Sequence, residues 1–177
     1  KVLVDEEKKQ FIVTKSKNYR SEKVDVIECS QITNCSVLVQ ESKEEIRYRD
    51  SNGNVKSFNP PCYACSYDFY VDIAVSISYI NNIRIKINEE PVDNGQETFI
   101  VMEGGLLGKV KDALLPARSN NGKTSNADEV RACQQYRNCE QIANEIKAVL
   151  MENRAIMQNI SRNKKITCPW CGSKVLP

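Results

Sequence analysis

The chain has 177 residues, 41% of them hydrophobic and 27% charged, with 25 basic against 23 acidic side chains and a net charge of +2. That length allows one well-filled core, or a core with a small appended module, and excludes two full-sized domains. The composition is that of a folded soluble protein. The near-neutral charge gives no global field to attract nucleic acid, and no run approaches the roughly eighteen apolar residues of a membrane-spanning helix.

From about Gln10 to about Val101 the pattern is alternating and β-branched. Phe11–Thr14, Val24–Ile27, Ser36–Gln40 and Glu45–Arg49 read as short strands. Asn52-Gly53 between Tyr48 and Val55-Lys56-Ser57-Phe58 predicts a hairpin closed by a type I′ turn, because this dipeptide accepts positive φ angles. Tyr67–Val75 alternates with Asp68 and Asp72 on one face, and Ile83–Ile87 alternates with Arg84 and Lys86 outward. Each such strand has one buried and one wet face, the pattern of an antiparallel sheet or small barrel. About seven strands with no helical period between them exclude a doubly wound α/β sheet.

After Gly104-Gly105 the period changes. Leu106, Leu107, Val110, Leu114 and Leu115 suit a short amphipathic helix ending before Pro116, and residues 116–127 form a polar, turn-rich loop. A longer helix follows, with Asn126 as N-cap, Asp128 and Glu129 in the first turn, and an apolar stripe through Tyr136, Cys139, Ile142, Ala143, Ile146, Val149 and Leu150. The expected fold class is therefore α+β: a β-rich domain over residues 1–158 with capping helices, and a basic tail over 159–177.

This order, strands first and an amphipathic helix last, resembles the pleckstrin-homology-like barrels of small bacterial proteins, some of which also carry a zinc knuckle. The resemblance covers Phe11 to Leu150 and rests on element order and on runs such as Tyr67–Val75 and Asn82–Ile87. It implies a helix plugging one end of a bent sheet, and ligand or partner binding more often than catalysis. The basic early hairpin of lipid-binding members is missing, since Glu41–Arg49 mixes both signs.

The eight cysteines fit either disulfides in a secreted protein or reduced thiols with a metal in the cytoplasm, and the cytoplasmic reading is adopted. The opening Lys1 leaves room for a removed leader or an upstream segment. Cys168-Pro169-Trp170-Cys171-Gly172 has the spacing of a zinc knuckle: two thiolates three apart on a tight turn point at one ion, and the glycine permits the positive φ such a turn needs. A redox dithiol of the same spacing requires a following helix and a βαβ body, and neither is expected. Structural zinc wants four ligands, and the chain contains no histidine. Cys62 and Cys65, in an expected loop after Pro60-Pro61, are the internal candidates for the other two. The alternatives are a second pair in an upstream segment or a site shared between two chains. Cys133 and Cys139, six apart on a helix, face different directions, so Cys139 is expected to be a buried thiol. Cys29 and Cys35 are expected to pack in the core.

From Arg154 onward the chain carries Arg154, Arg162, Lys164, Lys165 and Lys174 and no acid. Trp170 stacking on a base while Lys164, Lys165 and Lys174 meet phosphates is the nucleic-acid-binding alternative, which salt-sensitive affinity for a single strand would reveal. Residues 117–124, ending Gly122-Lys123-Thr124, match a loose phosphate-binding loop with Ala117 in place of the first glycine; a nucleotide hydrolase is the further alternative, but the match lacks the buried parallel strand that such a loop requires. Without histidine the commonest nucleophilic triads are excluded. The sequence thus predicts a non-enzymatic binding or scaffolding module with structural zinc and a protein partner or self-association.

Overall fold

The computed structural model describes residues 1–16, 18–21, 23–50, 52–93, 99–101, 125–163, 166–167 and 174–175. The predicted helix around 106–115, most of the 116–127 loop and the phosphate-loop match lie outside them. The chain is α+β. Strands β1 (Val2–Asp5), β2 (Gln10–Val13) and β3 (Ile27–Glu28) form one antiparallel sheet. A second sheet has the order β6 (Ile80–Lys86), β5 (Val55–Ile77), β4 (Ile32–Arg49), β7 (Phe99–Val101). Helices α1 (Ala127–Ala132) and α2 (Gln134–Asn163) follow, and then a two-stranded hairpin of β8 (Ile166–Thr167) and β9 (Lys174–Val175). No helix among the described residues is long and apolar enough to cross a membrane.

Several sequence expectations are corrected here. The four runs read between Ser36 and Val75 are only two strands, of 18 and 23 residues, because polar stretches such as Glu41–Glu44 continue the pleat. Pairing is not wholly antiparallel: β7 runs parallel to β4, with Arg47 opposite Phe99 and Arg49 opposite Val101. The Val24–Ile27 run is paired only at its end, as the two-residue β3. Strand β1, which pairs Val2 with Val13 and Asp5 with Gln10, had no counterpart in the sequence reading.

The chain folds as two compact units, Lys1–Leu38 with Val71–Ile85 and Ala143–Pro177, and Val39–Tyr70 with Lys86–Ile142. In the first, Phe11, Ile27, Cys29, Ile32, Cys35, Val71, Ile73, Ala143 and Leu150 are buried. Lys9, in the left-handed region at φ 55°, donates its Nζ to Oδ1 of the buried Asn153 at 2.9 Å. That bond ties the turn after β1 to α2. On the wet face, Arg84 reaches Asp72 through two 2.7 Å hydrogen bonds, a bidentate geometry that lowers the Asp72 pKa.

In the second unit the core gathers Cys65, Tyr67, Phe69, Val92, Val130 and Cys139, with Val39, Ile87 and Tyr136 against them. A smaller cluster packs Ile46 and Cys62 with Tyr48, Phe58 and Ala64. The predicted hairpin is present, but its turn is not type I′: Gly53 has φ +81°, and it is the only described residue of the turn with a positive φ. Asp50 organises it instead, accepting from Asn52 N at 3.0 Å and Asn54 N at 2.9 Å and pairing with Lys56 Nζ at 2.7 Å.

The Lys56 hydrogen bond and the backbone N–H of Asn54 hold Asp50 down at about 2, from an ordinary 3.8. A depressed carboxyl stabilises the folded state above its unfolded pKa, and that contribution is lost as pH falls from about 3.8 toward 2. Lys56→Ala is expected to raise the Asp50 pKa toward its ordinary value in a carboxyl NMR titration. An unmoved titration would show that the backbone donors alone set it.

Candidate functional site

Cys168, Trp170, Cys171, Lys164 and Lys165 lie outside the described residues. What the structure gives is their frame: Thr167 pairs with Lys174 and Ile166 with Val175, antiparallel, so residues 168–173 connect the two strands of a hairpin. A strand, not a helix, follows the second cysteine.

Cys62 and Cys65 lie in β5 rather than in the expected loop. Pro60 and Pro61 do not end the strand because they occupy exposed positions in it, where their missing donors cost little. An odd separation along a strand sends side chains to opposite faces. Accordingly Cys62 packs beside Ile46, while Cys65 packs beside Tyr67 and Phe69. The two sulfurs face different cores and are not brought together as a chelating pair. Among the described residues no three His, Cys, Asp or Glu side chains gather as a metal site.

The remaining described thiols serve packing and capping. Cys29, Cys35 and Cys139 are buried, and no disulfide joins any described cysteine. Burial is the leading cause that pushes the thiols of Cys29, Cys35, Cys65 and Cys139 above 9.0, which keeps them protonated and poorly nucleophilic. Cys133 breaks the single predicted helix in two. Its backbone is extended (φ −70°, ψ 153°), and its Sγ accepts the Tyr136 N–H at 3.4 Å, so the sulfur caps α2. The predicted stripe is buried at Cys139, Ala143 and Leu150, but Ile142 is 46% exposed.

Within the second unit an open pocket of about 360 Å³ is formed by Glu41 and Lys43 of β4, Tyr63 of β5, Ser125, and Ala127, Asp128 and Arg131 of α1. Glu41 and Lys43, two apart on a strand, share a face. Asp128 and Arg131 are neighbours one helical turn apart. Glu41 accepts the Tyr67 hydroxyl at 3.2 Å on Oε1 and faces Lys43 Nζ at 3.5 Å and Arg131 Nη2 at 3.5 Å. The Arg131 guanidinium lies over the Tyr67 ring, 5.4 Å from its centroid.

Burial alone would push the Glu41 carboxyl up, but Lys43, the Tyr67 and Cys65 hydrogen bonds and Arg131 together hold it below 4.5. Burial, then the Glu41 charge, pushes Tyr67 up to about 12, so its hydroxyl remains a donor. The sequence reading missed this cluster. Glu41 and Lys43 are legible as one strand face, but nothing local joins them to Arg131. Comparison with protein-family models, with characterised proteins and with solved structures gives no match.

Proposed function

We propose that this chain is a non-enzymatic binding module whose tail is organised by a structural zinc ion held by Cys168 and Cys171. The observation that carries the reading is the antiparallel pairing of β8 with β9, which makes the Cys-Pro-Trp-Cys-Gly segment the link of a hairpin. Two thiolates three apart in a hairpin link are the arrangement of a zinc knuckle. The redox alternative needs the first thiolate at a helix N-terminus, and β9 stands where that helix would run. The long helix that follows the strands keeps the element order of the pleckstrin-homology-like resemblance.

Cys62 and Cys65 face different cores and do not supply the remaining two ligands as a pair, which leaves single cysteines or carboxylates of this chain, or groups outside it. Metal analysis of the purified protein tests the reading. Zinc is expected at one per chain, or at one per two chains where the site is shared. The paired change Cys168→Ser, Cys171→Ser is expected to abolish it while the far-ultraviolet signal of the body is kept. Absence of zinc from freshly purified protein, or zinc retained by the double variant, would overturn the assignment.

A further inference from the structure

We propose that the pocket lined by Glu41, Lys43, Asp128 and Arg131 binds a free α-amino acid by its carboxylate and ammonium groups. Among the described lining residues two acids and two bases balance in charge, yet their unused hydrogen-bonding capacity is unevenly divided. Glu41 already accepts the Tyr67 hydroxyl at 3.2 Å, with Lys43 and Arg131 each 3.5 Å away.

Arg131 is not satisfied in the same way. Its contacts to Glu41 at 3.5 Å and to Asp128 at 3.9 Å are longer than the roughly 2.7–2.9 Å of a formed charge-assisted bond. Its side chain is 48% exposed, and its guanidinium lies over the Tyr67 ring. Stacking fixes the plane, and an incoming carboxylate can replace the long contacts of the two terminal nitrogens with two parallel N–H bonds. Lys43 Nζ stands beside the same site, 3.5 Å from Glu41. The Asp128 carboxylate, by contrast, is 88% exposed and has spare acceptor capacity next to the guanidinium.

Donors for an anion and an acceptor for a cation therefore sit side by side. A dianion would meet Asp128 and Glu41, and a simple cation would meet Arg131 and Lys43. A zwitterion with its two charges one carbon apart meets neither repulsion. The volume, about 360 Å³, is near the lower end of the roughly 300–1,000 Å³ of small-molecule sites, which suits one amino acid rather than a nucleotide. Tyr63, 38% exposed, and Ala127 offer an apolar wall to the ligand side chain.

Calorimetric titration of the full chain with each of the twenty free L-amino acids tests this. At least one is expected to bind saturably with a Kd between about 1 μM and 1 mM. Its N-acetyl and its amide derivatives are each expected to bind at least tenfold more weakly. Asp128→Asn, on a mostly solvated side chain, and Arg131→Gln are each expected to weaken binding of the free amino acid at least tenfold. Because Arg131 also packs on Tyr67, the Asp128 variant keeps the test clear of folding effects. No saturable heat from any of the twenty up to about 10 mM, an acetylated ligand binding as tightly as the free one, or an unchanged affinity in Asp128→Asn would each overturn the proposal.

Discussion

Phe69→Ala is expected to destabilise the second unit by about 3–5 kcal/mol, the usual cost of emptying an aromatic site in a core that relaxes only partly. Phe69 is 0% exposed and packs with Tyr67, Val92 and Val130. Its ring meets Tyr136 edge-on, with centroids 4.8 Å apart and planes at 76°, and Tyr136 meets Tyr67 at 5.2 Å and 86°. Removing the Phe69 ring therefore leaves a cavity and also breaks one of the two edge-to-face pairs that Tyr136 makes, each worth about 0.5–1.5 kcal/mol beyond area burial. Against a total stability of about 5–15 kcal/mol, that loss is a large fraction of what holds a domain folded. Urea titration followed by circular dichroism reads the effect as a shift in midpoint at constant slope. Phe69→Leu, which keeps most of the apolar volume, is expected to lose clearly less. A loss below about 1 kcal/mol for the alanine variant would show that the ring is not packed as described.

The strand content was legible because alternation is a local signal. Tyr67, Phe69, Val71, Ile73 and Val75 are all buried and their even-numbered neighbours are not, as period 2 requires. The charges read on the wet faces proved to be rungs between adjacent strands: Arg84 pairs with Asp72, and Lys86 with Asp68 at 2.9 Å. What sequence reasoning lost was tertiary override. Asn126 occupies the N-cap position assigned to it, but its side chain makes no cap bond. Its Oδ1 accepts Cys65 N at 2.6 Å instead, because a strand N–H in the core must be satisfied.

Cys62 and Cys65 misled for a related reason. Their spacing matches a knuckle, but a strand of 23 residues turns the same spacing into opposite faces. The pocket on Glu41 and Arg131 was illegible because its parts come from elements far apart in the chain. Neither half carries a motif.

Asn88→Ala is expected to cost about 2–3 kcal/mol, and the direction of its companion Asn88→Asp distinguishes lost hydrogen bonds from lost volume. Asn88 is buried, and its carboxamide replaces the sheet ladder at one point. Oδ1 accepts the Phe69 N–H at 2.8 Å, while Nδ2 donates to Tyr67 O at 3.1 Å, Glu90 O at 2.8 Å and Asp68 Oδ1 at 3.0 Å. Alanine removes all of these. The Tyr67 carbonyl keeps the Val92 N–H at 2.9 Å, so the main penalty falls on the Phe69 N–H in the core.

In Asn88→Asp the shape is kept and the Phe69 N–H can still be accepted, but the donor is replaced by an anion facing two carbonyls and the Asp68 carboxylate. That variant is expected to be at least as destabilised as Asn88→Ala at pH 7. Desolvation and the like charge raise the folded pKa of the introduced carboxyl above its unfolded value. Its penalty should therefore shrink as pH falls through that raised pKa and the group becomes a donor again. Urea midpoints measured for both variants at pH 7 and at pH 5 check this. Equal, pH-independent losses in the two would show that Asn88 acts by filling space and not by its hydrogen bonds.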